Sequence, residues 1–249
     1  MIVEFFGPPG SGKTAFALRL ADRLRDRGHS VSLRLSARPG EKSPRTAQPE
    51  KDEPSTPPGG AARRLAVPAY ELIVNVAQRP AAPEDPGGAS ALAQALPRGQ
   101  IFRSLRMRQY LVRLSNAWAQ AGRNRAVWIF DQAYIQAVAS IVMVQPPMTD
   151  DAIAALLEVA PQCDLAIRVE ARETDMESQS GRRRRPFEEE GGDALQQAAL
   201  AERIYGLLRR RDRAVLSLRL SGAESPDDPL DLAERAIVAM LNVTYARTS

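Results

Sequence analysis

Gly7-Pro8-Pro9-Gly10-Ser11-Gly12-Lys13-Thr14 directly follows the run Met1 to Phe6 and meets the pattern G-x-x-x-x-G-K-[ST] at every fixed position. Binding a triphosphate takes several backbone N–H donors converging on one point, on a chain that passes close to the β-phosphate with no side chain between. Glycine permits both the closeness and the unusual φ angles. In this pattern Lys13 reaches the β- and γ-phosphates and the Thr14 hydroxyl is placed to ligate Mg2+. The flanks fit the same reading. Ile2, Val3, Phe5 and Phe6 predict a buried parallel strand. Phe16, Leu18, Leu20, Ala21 and Leu24 recur through Ala15 to Arg27 as on a helix whose N-terminus faces the phosphates. Gly7, Pro8, Pro9, Gly10, Ser11, Gly12, Lys13 and Thr14 are therefore the expected nucleotide-triphosphate-binding set.

A chain of 249 residues with 44% hydrophobic content fits one elaborated α/β domain over its whole length. Its formal net charge is +4, and Arg outnumbers Lys, which suits anionic ligands such as phosphates without requiring nucleic-acid binding. The single Cys163 excludes an intramolecular disulfide and offers no metal cluster. His29, the only histidine, precedes a strand and reads as a surface loop residue, which leaves no Ser-His or His-metal chemistry. The chain enters its first strand with no charged leader, and the apolar stretch Ala137 to Val144 is far short of a membrane span. A cytoplasmic protein with no membrane partner is expected, with room for a homodimer.

Strands alternate with helices along the rest of the chain. Ser30 to Leu35 predicts a second strand, Ile101 to Gln120 a long helix, and Ala126 to Phe130 a core strand leading into a helix from Ala133 to Val144. Asp150 to Ala160 reads as a helix N-capped by Thr149, Asp164 to Val169 as a strand, and Asp193 to Arg211 as a long helix. A strand at Ala214 to Leu220 and a helix from Leu230 to Leu241 close the order. This order implies a mostly parallel sheet with ligands at its carboxyl edge. Between them, residues 37–62 are rich in proline and charge and predict a mobile insertion. Pro68 to Gln78 reads as a short amphipathic helix, and residues 79–99 as a Pro/Gly-rich break.

The second constellation is Val127-Trp128-Ile129-Phe130-Asp131-Gln132. A carboxylate at the carboxyl end of an apolar strand, at the edge that holds a triphosphate, serves either to hold Mg2+ or to accept a hydroxyl proton. The competing expectation is that Asp131 only caps the following helix. In that helix Gln132, Gln136 and Ser140 form a polar stripe apart from Ile135, Val138, Ile141 and Val142, either facing an acceptor or solvated. In the helix from Ile101, Arg103, Arg106 and Arg113 share a face with Tyr110 and suit an anionic acceptor; a plain surface stripe is the alternative. Arg182-Arg183-Arg184-Arg185, within residues 178–192, reads as a lid that neutralises phosphoryl charge, or as a solvated charge run.

Taken together, these motifs resemble the nucleoside monophosphate kinase group of P-loop kinases, nearest thymidylate kinase. The likeness rests on the phosphate loop after the first strand, on the strand ending at Asp131, on Asp164-Leu165-Ala166-Ile167-Arg168-Val169, and on the Arg-rich loop before a helix, strand and helix. The resemblance implies a five-stranded, mostly parallel αβα core and ATP·Mg as donor. It also implies an acceptor region between the second and third core strands and a lid over ATP. Asp131 matches the aspartate of the family's Asp-Arg pair, and Gln132 stands where the arginine would hold the acceptor phosphate. Either Arg103, Arg106 or Arg113 supplies that charge, or the small-molecule acceptor is not a thymidylate-like monophosphate. An ATPase of the AAA type would want an acidic pair where Asp131 and Gln132 stand. A GTP switch would want an N-K-x-D motif, and the chain has none. An accessory or regulatory protein that binds nucleotide without transfer is the remaining alternative to a kinase.

Overall fold

Five strands pair in the order β2-β3-β1-β4-β5, every neighbour parallel. They are β1 (Ile2–Phe6), β2 (Val31–Arg34), β3 (Val127–Phe130), β4 (Leu165–Glu170) and β5 (Val215–Arg219). A computed structural model describes residues 1–36, 88–96, 101–170, 194–220 and 228–248. Among these residues the helices are α1 (Lys13–Asp26), α2 (Gly88–Gln94), α3 (Ile101–Gly122), α4 (Tyr134–Met143), α5 (Asp150–Val159), α6 (Ala194–Arg210) and α7 (Pro229–Thr248).

Every residue of the central strands β1 and β3 is buried, which is why they read as near-continuous apolar runs. Alternation along the strands sends their side chains into two cores. On one face Val3, Phe5, Ile129 and Ile167 pack with Phe16, Leu20 and Leu24 of α1 and Ile237 of α7. On the other, Phe6, Trp128 and Phe130 meet Trp118 of α3, Tyr134 and Ile141 of α4, Ile153 of α5 and Ile204 of α6. Full burial of one such side chain contributes about 1.5–3 kcal/mol. The result is the expected three-layer αβα fold with a parallel five-stranded sheet.

One ion-pair cluster ties the first helix to the last. Arg23 pairs with Asp231 and, at 2.7 Å, with Glu234; Arg27 reaches Glu234 at 2.6 Å. The Glu234 side chain is only 3% exposed, so losing either arginine would leave a desolvated carboxylate underpaired.

The strand order reverses about β1, with β2 and β3 on one side and β4 and β5 on the other. In open parallel sheets ligands bind at the carboxyl ends of the strands beside such a reversal. The phosphate-loop sequence leaves β1 at that edge.

Two boundaries differ from the sequence expectation. The stretch 79–99 is not irregular throughout, since α2 occupies Gly88–Gln94. Leu92 and Leu96 are buried in the core there, and a Cβ on Gly88 would lie 2.4 Å from the Val159 carbonyl oxygen. Tertiary packing overrides the local breakers. The last helix runs past Leu241 to Thr248, carrying an exposed Val243. Thr149 does cap α5, its hydroxyl accepting from the Ala152 N–H at 3.3 Å. The expectations for residues 37–62, for Pro68 to Gln78 and for the 178–192 lid with Arg182, Arg183, Arg184 and Arg185 fall outside the described residues.

Candidate functional site

Gly7, Gly10 and Gly12 have φ of 142°, 76° and 86°, a region that side chains with a Cβ rarely enter. Gly12 is the N-cap of α1, with no side-chain cap and no acidic residue in the first turn. The positive end of the α1 dipole is therefore left for an anion. Gly7 meets a second demand, because a Cβ there would lie 2.4 Å from the Val169 carbonyl oxygen of β4.

Lys13 folds back over the loop. Its Nζ donates to the carbonyls of Gly7 at 2.9 Å and Pro8 at 2.7 Å and to Ser11 Oγ at 3.3 Å. Burial lowers its pKa to about 8, with the Asp131 charge opposing the shift. A buried ammonium held only by neutral oxygens has strong reason to exchange them for phosphate.

Asp131, 1% exposed, follows β3 and is fully engaged. Oδ2 accepts from Thr14 Oγ1 at 2.8 Å, and Oδ1 accepts from the Ser36 N–H at 2.7 Å. The expectation that Asp131 only caps the next helix is overturned. The N-cap of α4 is Ala133, with no side-chain cap bond.

The cap comes instead from Glu4, on the neighbouring strand. Its Oε1 accepts from the N–H groups of Ile135 at 2.6 Å and Gln136 at 3.3 Å. Glu4 is completely buried, and burial pushes its carboxyl up to about 8 against the lowering by those backbone donors. Gln136 in turn sends its Oε1 to the Gly7 N–H at 3.2 Å. It thus touches the phosphate loop itself. Ser140 bonds back to the Gln136 carbonyl at 2.9 Å within α4.

Two members of the expected acceptor face of α3, Tyr110 and Arg113, have described side chains. Tyr110 donates to the Gln132 carbonyl at 3.1 Å, and loss of hydration, with Glu4 and Asp131 adding to it, holds its phenol well above the ordinary range. Arg113 is exposed, and the side chains of Arg103 and Arg106 fall outside the described set. Arg168 of β4 is engaged, paired with Glu170 and Glu202, bonded to Ser217 at 2.8 Å and stacked over Tyr205 at 4.5 Å. Burial raises the pKa of the Cys163 thiol, which disfavours its nucleophilic thiolate form.

Among the described residues no group of three or more His, Cys, Asp and Glu gathers. The Thr14 hydroxyl and Asp131 carboxylate are hard oxygen donors in contact, and Mg2+ is commonly held by so few protein oxygens together with water and phosphate. The pair fits the ion.

Fold and loop together define an α/β protein that carries a phosphate-loop sequence at the carboxyl edge of a parallel sheet. No family model matches the chain, and no curated protein matches it. Among solved structures, thymidylate kinase from Ehrlichia chaffeensis aligns over 97% of this chain and 98% of that one, at 15% identity and a TM-score of 0.44. The sheet order and the loop, not that likeness, define the class. Among the described residues no helix is long and apolar enough to cross a membrane.

Proposed function

We propose that the protein is an ATP-binding small-molecule kinase, passing the γ-phosphoryl group of ATP·Mg to a nucleotide or another small acceptor. The observation that carries the reading is the 2.8 Å bond from Thr14 to Asp131, which puts a carboxylate from β3 against the last residue of the phosphate loop. When bound, ATP·Mg supplies the transferable group and a divalent charge against its oxygens. Lys13 would exchange its carbonyl partners for phosphate oxygens. The Thr14 hydroxyl and Asp131 carboxylate would hold the cation, with the Ser36 N–H keeping the carboxylate aimed. Glycine at Gly7, Gly10 and Gly12 keeps the loop clear of side chains, so that backbone N–H groups and the α1 N-terminus face the anion. Arg103, Arg106, Arg113 and Arg182 to Arg185 are the proposed source of acceptor and transition-state charge, and a cytoplasmic location goes with the same proposal.

A second reading, nucleotide binding without transfer, is favoured by Gln132, a neutral side chain at the position where the related kinases hold the acceptor phosphate. One screen separates the two. ATP consumption is measured with a panel of nucleotides, nucleosides, sugars and other hydroxyl or phosphate acceptors, with Lys13→Met as control. Acceptor-dependent consumption lost in the control supports the kinase. Tight ATP binding with no consumption across the panel supports the accessory role.

A further inference from the structure

The first turn of α4 receives its cap from another strand, and the residue so held touches the phosphate loop. Ile135 and Gln136 stand at the second and third positions of α4, where a capping side chain normally bonds. Ala133, at the N-cap, has no polar side chain to offer. Glu4 Oε1 takes both N–H groups instead. Its Oε2 is buried with no hydrogen-bond partner, so backbone donors at the start of α4 hold the carboxyl in place. A polar group in the middle of a fully buried strand costs stability compared with an apolar one, and Glu4 is flanked by Val3 and Phe5, both of zero exposure.

Gln136 closes the circuit. Its backbone N–H meets Glu4 and its side-chain oxygen meets the Gly7 N–H, the first amide of the loop. Both ends therefore return to one short piece of chain, Glu4 on β1 and Gly7 just after it. We propose that Glu4 is a positioning residue for the phosphate loop, fixing the first turn of α4 so that Gln136 orients the entry of the loop at Gly7. Glu4 touches no phosphate. It acts through Gln136, and its consequence for nucleotide affinity rests on the kinase reading above.

The test reads the loop in the free protein, so it needs neither nucleotide nor turnover. NMR-detected hydrogen exchange of the Gly7 amide is compared in wild type, Glu4→Gln, Glu4→Asp, Gln136→Leu and the Glu4→Asp/Gln136→Leu double variant. Gln keeps an acceptor of the same length, whereas Asp is one methylene too short to hold both donors. Exchange should accelerate about tenfold in Glu4→Asp and in Gln136→Leu, stay within about threefold of wild type in Glu4→Gln, and rise no further in the double variant. ADP affinity should weaken in the same non-additive pattern. A cap that serves only the fold would lower the melting temperature of Glu4→Asp and leave Gly7 exchange untouched, and that result overturns the proposal. So does a double variant whose effects multiply. Should Glu4→Asp not fold, unchanged Gly7 exchange in Gln136→Leu overturns it equally. A wild-type protein that binds no ADP would sink the kinase reading and leave the exchange result standing.

Discussion

Thr14 Oγ1 donates to Asp131 Oδ2 at 2.8 Å across a separation of 117 residues. The other carboxylate oxygen takes the Ser36 N–H at 2.7 Å, so one side chain joins the start of α1, the end of β2 and the end of β3. Asp131→Asn tests whether that side chain matters for charge or for bonding. The amide oxygen can serve Ser36 N–H, and the amide N–H can donate to a Thr14 hydroxyl turned to accept, so the melting temperature should barely move. Loss of the charge should lower kcat by roughly 10²- to 10⁴-fold and raise the Mg2+ concentration needed for half-maximal rate. An Asn variant with normal kcat and normal Mg2+ dependence removes Asp131 from the chemistry.

Gly7 and Gly12 differ in what stands behind them, and alanine at each should show it. At Gly7 the new Cβ meets the Val169 carbonyl oxygen at 2.4 Å, main chain in the middle of the sheet. At Gly12 it meets Leu220 Cδ1 at 3.2 Å, the end of a flexible side chain. Both carry positive-φ strain, about 1–3 kcal/mol. Only Gly7→Ala adds a clash with backbone, so it should lose several degrees more in melting temperature than Gly12→Ala. Equal losses would show that the loop moves away from β4 without resistance.

Much of the frame was legible because its signals are local. The spaced glycines, Lys13 and Thr14 carry their own geometry, and the apolar periods of β3, α4 and α5 mark elements to within a residue or two. What escaped depends on long-range pairing. Glu4 was passed over inside an apolar run; the overlooked signal was a carboxylate between Val3 and Phe5, in a strand with no face turned to water. The destination of Gln136 was equally hidden. Its helical stripe was visible, but only the placement of α4 beside β1 decides that it meets Gly7. Proline and glycine around α2 argued for a break, and the burial of Leu92 by elements far away in sequence prevailed.

Lys13 is buried in the free protein with its charge held on Gly7 O, Pro8 O and Ser11 Oγ. Lys13→Met removes a desolvated cation and also takes a donor from the buried Gly7 and Pro8 carbonyls, two effects of opposite sign. Thermal stability should change by no more than a few degrees in either direction. ATP affinity and turnover should collapse, because a single charged contact to the β- and γ-phosphates is lost. Calorimetric titration with ATP, paired with a thermal melt of the same sample, checks both. Wild-type ATP affinity in a well-folded Met variant would show that the loop does not use its lysine.

Glu4 makes stability depend on pH in a direction opposite to that of an ordinary paired carboxylate. Its carboxyl rises from an ordinary 4.5 to about 8 on folding, chiefly through burial. Between those values the folded chain binds a proton that the unfolded chain has released. Stability from this group is therefore full below about pH 4.5 and is lost as pH climbs toward 8, by up to about 1.4 kcal/mol per pH unit. Tyr110 and Cys163 share that interior, and burial shifts both upward, so neither ionises within the window. Glu4→Gln keeps the acceptor for Ile135 and Gln136 and removes the proton. Urea unfolding of both proteins at pH 5.5, 7.0 and 8.5 isolates the effect, because every other group cancels in the difference. The wild type should lose stability relative to the Gln variant at each step upward. Parallel curves would mean that Glu4 stays ionised in the folded protein, held by the α4 N-terminus as a full charge.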